Sequence, residues 1–153
     1  MNYKKSLINK IKTNKAVIGV IGAGYVGLPL IKEFLQNDFV VYGFDNDPKK
    51  IKNLKEFKSY INYINLSKLK IKHKINFHPT SDYRHISKLD VIIICLPTPL
   101  TKLNTPDMSY INNALRELKN FLQKGQLLIL ESTTYPGTTK EILIPVINKL
   151  KYT

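Results

Sequence analysis

One cysteine, two arginines and no long apolar run: the 153-residue sequence is first defined by what it has little of. A lone thiol, Cys95, excludes an internal disulfide and fits a reducing compartment, so a cytoplasmic location is expected. No apolar stretch approaches the ~20 residues that a bilayer-spanning helix needs. Residues 1–15 are polar and dotted with lysine, unlike a signal peptide, and no membrane role is expected. The three histidines, His73, His78 and His85, have no cysteine or acidic partners at ligand spacing, so surface or turn positions are expected for them and no metal site. Acidic residues are also few: 11 Asp and Glu stand against 24 Lys and Arg, a net charge of +13. Such a field attracts phosphate. The positive charge is nevertheless lysine spread along the chain, and arginine, which reads bases bidentately, occurs only at Arg84 and Arg116. Nucleic acid is therefore not the expected partner, whereas an anionic nucleotide would profit from the same field.

What is present is organised around Val17-Ile18-Gly19-Val20-Ile21-Gly22-Ala23-Gly24-Tyr25-Val26-Gly27. Its first half is β-branched and apolar, as a strand buried on both faces requires. Glycines at G-x-G-x-x-G spacing follow, and then a helical pattern over residues 28–36. In a dinucleotide site Gly22 permits the tight turn, Gly24 lets backbone approach a pyrophosphate, and Gly27 lets helix pack on strand. The helix start offers N–H groups and partial positive charge to phosphates. A second strand, residues 39–44, ends at Asp45, about 20 residues on, where a carboxylate accepts ribose hydroxyls and repels a 2′-phosphate. That favours NAD over NADP. Asp47-Pro48 reads instead as the cap of a helix over residues 49–57.

Further along, residues 58–74 are lysine-rich and carry a short helix near residues 67–72. A short strand is expected at residues 75–77 and a short helix at 81–88. Asp90-Val91-Ile92-Ile93-Ile94-Cys95-Leu96 is a buried strand with Cys95 in the core rather than a nucleophile. It stops at Pro97-Thr98-Pro99-Leu100-Thr101, whose prolines hold an extended loop, either a ligand border or a rigid crossover. Ser109 suits the cap of a helix ending near residue 122. The strand at residues 126–130 runs into the hydroxyl-rich turn Glu131-Ser132-Thr133-Thr134-Tyr135-Pro136-Gly137-Thr138-Thr139. A helix over 140–149, with Pro145 inside it, closes the chain, and one at residues 3–12 opens it. Strands alternating with helices predict an α/β fold, a Rossmann-like doubly wound parallel sheet in one domain of residues 1–153. Three polar strand ends would then share one crevice.

The motifs Gly22-Ala23-Gly24-Tyr25-Val26-Gly27-Leu28-Pro29, Gly43-Phe44-Asp45-Asn46-Asp47, Pro97-Thr98-Pro99-Leu100-Thr101 with Pro106-Asp107, and residues 131–139 span nearly the whole chain. In that order they resemble the amino-terminal NAD-binding domain of the UDP-glucose/GDP-mannose dehydrogenase family, the nucleotide-sugar 6-dehydrogenases. The Leu100-Thr101 pair and the Glu131 turn look most like enzymes acting on UDP-N-acetylhexosamines. The resemblance implies an NAD-dependent oxidation of a UDP-sugar C6 hydroxyl to a carboxylate by two hydride transfers, serving surface polysaccharide precursors. It implies pyrophosphate contacts at Tyr25 and Val26, a ribose contact at Asp45 and a basic neighbour of the adenosine at Lys50. Pro97, Thr98 and Pro99 would border the cofactor, Thr133 and Thr134 would sit by the nicotinamide, and Thr134 would help position a catalytic water. Glu131 matches a frequent acidic position and equally suits a strand-end hydrogen-bonding residue. Relatives carry glycine where Phe57 stands, which predicts a rearranged loop there. The family's catalytic thiol, lysine and asparagine match nothing here. The chain is thus expected to be part of a longer enzyme, stopping before a sixth strand and inactive alone. A non-catalytic nucleotide-binding module is the alternative, and self-association along an exposed apolar sheet edge is a further expectation.

Overall fold

Five parallel strands form a single sheet in the computed structural model, which describes residues 2–148. In chain order the elements are α1 (Tyr3–Lys12), β1 (Val17–Ile21), α2 (Gly27–Gln36), β2 (Val40–Phe44), α3 (Pro48–Lys55) and α4 (Lys70–His73). They continue with β3 (Phe77–Thr80), β4 (Val91–Ile94), α5 (Ser109–Leu118), β5 (Leu127–Leu130) and α6 (Ile144–Asn148). Spatially the strands run β3-β2-β1-β4-β5. The chain moves outward from β1 to β3, then returns to the other side of β1 for β4 and β5. This is the doubly wound arrangement expected, and its reversal lies between β1 and β4. Open parallel sheets bind ligands outside the carboxyl ends of the strands at such a point.

The two-residue period of a strand explains the two cores. In β4, Val91 and Ile93 face one layer with Val20, Leu28, Ile31, Leu35 and Leu54, while Ile92 and Ile94 face the other with Ile21 and Phe44. The second layer is closed by α5, whose Ile111, Ala114, Leu115 and Leu118 recur at helical spacing and are all buried. Each such Leu or Ile contributes roughly 2 kcal/mol by leaving water, before entropy is counted. Pro79 is tolerated in β3 because that strand lies on the sheet edge. On the opposite edge, Leu127 of β5 is exposed and its next three residues are half-buried.

Several local expectations change. Ser109 is the first helical residue, not the cap; the Asp107 carboxylate accepts its N–H at 2.9 Å, bringing negative charge to the helix start. The helix ends at Leu118, earlier than expected. The short helices become a 3-10 turn at Ser67–Leu69 leading into α4, and a 3-10 stretch at Tyr83–Lys88. Pro145 is accommodated by a widened π turn, Thr139–Leu143, immediately before α6, since proline cannot continue an α ladder. The expected end of that helix at Lys149 lies outside the described residues. His73 is buried, 2% exposed, rather than a surface residue. At the position where the resemblance expected glycine, Phe57 has the left-handed backbone (φ 55°) that glycine adopts readily. Its ring is buried edge-on to Phe77 at 5.5 Å, which offsets the backbone strain.

The helix α1 ties down the amino end of the sheet. Lys10 meets Asp90 Oδ1 at 2.6 Å, and Asp90 Oδ2 accepts the Val17 N–H at 2.9 Å.

Candidate dinucleotide site

The glycine turn leaves β1 at Gly22, whose φ of +94° is strained for any other residue. Its N–H donates to the Phe44 carbonyl at 2.8 Å, continuing the ladder past the strand end. A Cβ on Gly27 would lie 1.9 Å from the Gly22 carbonyl oxygen, so only glycine lets α2 start this close to the turn. A Cβ on Gly24 would meet nothing within 4 Å. The first and third glycines serve packing, whereas the second opens the backbone to whatever lies outside. Tyr25 and Val26 are exposed at the start of α2, where the helix dipole favours an anion.

The Asp45 carboxylate reaches back to this turn. Its Oδ2 accepts the Ala23 N–H at 3.1 Å and the Lys50 ammonium at 3.1 Å; its Oδ1 accepts the Asp47 N–H at 3.0 Å. Only 6% of the side chain is exposed. A carboxylate has about four acceptor positions, so roughly one remains for an incoming hydroxyl. Asp47 caps α3 as expected, accepting the N–H groups of Lys49 and Lys50 with Pro48 in the first turn. Lys50 also lies over the Tyr60 ring, 5.7 Å from its centroid, and the Tyr60 hydroxyl donates to the Ala23 carbonyl. Burial and then the Asp45 and Asp47 charges hold the Tyr60 phenol above its usual range, which keeps it a donor. Tyr60 was missed from the sequence because it sits in an uninformative lysine-rich stretch, 37 residues from its partner.

At the neighbouring strand ends the ladder likewise continues. Cys95 N–H donates to Ile21 at 2.8 Å and Glu131 N–H to Ile94 at 2.9 Å, so the turns after β1, β4 and β5 lie side by side. The Thr98 hydroxyl donates to the Thr133 carbonyl, joining the two outer loops. The loop after β4 is braced by the Asp107 N–H donating to Pro99 at 2.7 Å. Pro97, Pro99, Glu131 and Thr133 are exposed on this edge; Thr98 and Thr134 are half-buried. Cys95 is a core residue, and burial, then the Glu131 charge, push its thiol up to about 11. Among the described residues no group of His, Cys, Asp and Glu is placed to hold a metal ion, and no helix is long and apolar enough to cross a membrane. A separate concavity of about 430 Å³, lined by α3 residues with Asn46 and Ser81, shares none of the glycine-turn residues.

In order across the sheet, Asp45 after β2, the glycine turn after β1, Thr98 after β4 and Thr133 after β5 stand on one edge. At ~4.8 Å between strands the outer two are about 14 Å apart, a span suited to an extended dinucleotide. Fold and edge together define a dinucleotide-binding domain of the doubly wound class. Comparison with known proteins narrows this: residues 16–153 match the UDP-glucose/GDP-mannose dehydrogenase family, NAD binding domain, and the chain belongs to that family. It is 35% identical over 132 residues to a UDP-N-acetyl-D-glucosamine 6-dehydrogenase of Pseudomonas aeruginosa, covering 86% of this chain and 31% of the relative. It is 38% identical over 128 residues to a UDP-N-acetyl-D-mannosamine dehydrogenase of Methanocaldococcus jannaschii, covering 82% and 30%. Among solved structures, the UDP-N-acetyl-mannosamine dehydrogenase of Staphylococcus aureus superposes with a TM-score of 0.80 at 29% identity, covering 90% of this chain and 34% of that one. The chain thus spans about a third of the length of the relatives it matches. Its cofactor is NAD.

Proposed function

We propose that residues 1–153 form the NAD-holding part of an enzyme that oxidises the C6 hydroxyl of a UDP-N-acetylhexosamine to a uronate for surface polysaccharide precursors. The observation that carries the NAD site is the Asp45 carboxylate bound to the Ala23 N–H of the glycine turn, which joins the ribose and pyrophosphate positions. The open space beyond Gly24 fits a phosphate-bearing ligand. NAD, when bound, supplies the hydride acceptor. This chain's residues do the holding. Gly22, Gly24, Tyr25, Val26 and Gly27 present backbone and helix dipole to the pyrophosphate, and Asp45 with Lys50 takes the adenosine ribose. Pro97, Thr98, Pro99, Glu131 and Thr133 border the nicotinamide half, and Thr134 is the residue assigned to a catalytic water. The names of the relatives support the UDP-N-acetylhexosamine. The cytoplasm is the proposed compartment, on the buried free thiol, and self-association along β5 is the proposed assembly.

Calorimetric titration of the chain with NAD tests the site. Binding in the micromolar range, weakened about tenfold or more by Asp45→Ala, is expected. Equal affinity of the two would remove Asp45 from the site.

A further inference from the structure

Lys50 is the one element of the site whose charge has the wrong sign for a simple NAD-selective pocket. Its ammonium stands five residues beyond Asp45, beside the position proposed for the ribose, and it is about one-third exposed. Two contacts hold it there: Asp45 Oδ2 at 3.1 Å and the face of Tyr60 at 5.7 Å. Tyr60 is itself fixed by its bond to the Ala23 carbonyl. An ammonium has three donors, and a 2′-phosphate brings up to two negative charges to the hydroxyl next to the Asp45 carboxylate. We infer that Lys50 is a latent 2′-phosphate ligand that Asp45 holds in check, so that cofactor choice is set by the pair and not by the carboxylate alone. The inference rests on the NAD site proposed above.

Two consequences follow from charge. With Asp45 present, the phosphate meets a carboxylate that also occupies Lys50, and NAD wins. With the carboxylate neutralised, repulsion is lifted and the ammonium is released at the same time; Tyr60 keeps it at the ribose rather than letting it swing into solvent.

The test is a double-mutant cycle read by binding of NAD, NADP and adenosine 2′,5′-bisphosphate to the full 153-residue chain. Asp45→Asn should raise the NADP-to-NAD affinity ratio by about tenfold or more, and Lys50→Met in that background should remove most of the gain. A rise that survives Lys50→Met, or no rise in a folded Asp45→Asn chain, overturns the inference. Asp45→Asn leaves one buried N–H without its acceptor, so Lys50→Met alone is measured as well. In that chain, with Asp45 still in place, Lys50→Met should change the NADP-to-NAD affinity ratio much less than it does in the Asp45→Asn background; an equal change in the two backgrounds overturns the inference too. Failure of the unaltered chain to bind NAD at all would instead refute the site itself.

Discussion

Gly27 and Gly24 stand three residues apart in one turn, yet alanine at each should have opposite consequences. At Gly27 the added carbon falls 1.9 Å from the Gly22 oxygen, 3.0 Å from its carbonyl carbon and 3.1 Å from Val20 Cγ1. Two of those atoms are backbone, in a turn fixed by the bond from Gly22 to Phe44, so no rotamer change relieves the overlap. Overpacking costs about 1–3 kcal/mol, and alanine at the first helical position returns less than about 1 kcal/mol. The net is about 2 kcal/mol, which for a domain of this size lowers the melting temperature by roughly 4–8 °C. At Gly24 the same carbon meets nothing within 4 Å, and the residue is not among the glycines with positive φ. Alanine there restricts the unfolded chain and should stabilise by about 0.4–1 kcal/mol. It also puts a methyl group into the open space proposed for the pyrophosphate, and NAD affinity should drop by about tenfold or more. Thermal melts by circular dichroism, paired with calorimetric titration, read both. A Gly27→Ala chain melting with the parent, or a Gly24→Ala chain binding NAD as tightly as the parent, would refute the division of labour in the turn.

Three further outcomes follow from the structure. Phe57→Gly relieves a left-handed backbone worth about 1–2 kcal/mol but empties a buried aromatic site worth about 3–5 kcal/mol, so denaturant unfolding should show net destabilisation near 2 kcal/mol; a stabilised variant would mean that strain wins. Asp90→Ala strips the acceptor from the half-buried Val17 N–H and should cost about 1–3 kcal/mol, whereas Lys10→Met, at the exposed end of the same pair, should cost less than about 1 kcal/mol; equal costs would contradict this. The thiol of Cys95 is raised to about 11, so at pH 8 only about 0.1% is thiolate, and a thiol reagent should modify it slowly until denaturant is added. Rapid labelling of the native chain would place Cys95 outside the core.

The fold was legible where chemistry is local. β-branched runs marked β1 and β4, Asp47-Pro48 marked the start of α3, and Ala114 and Leu118 at helical spacing behind Ser109 marked α5, although Tyr110, read on the same face, is exposed. The approach of Asp45 to the glycine turn was legible because their spacing is set by one strand-turn-helix unit. What escaped depends on contacts distant in sequence. Tyr60 acts through Ala23 and Lys50, and α1 acts through Asp90, 80 residues from Lys10. His73 looked like a surface histidine because a lysine-rich stretch does not reveal which side turns inward. The cap of α5 was misplaced by one residue: Met108 holds that position, and the Asp107 carboxylate before it takes the Ser109 N–H, which a hydroxyl at Ser109 would have left to later amides.

One sheet edge, from Asp45 to Thr133, is the proposed seat of the dinucleotide. Titrating the isotope-labelled chain with NAD and following amide shifts by NMR tests it most directly. The largest shifts are expected at residues 22–27, at Asp45 and Lys50, and in the loops of Thr98 and Thr133. Shifts confined to the α3 concavity around Lys52, Lys55 and Ser81, with the glycine turn silent, would contradict it.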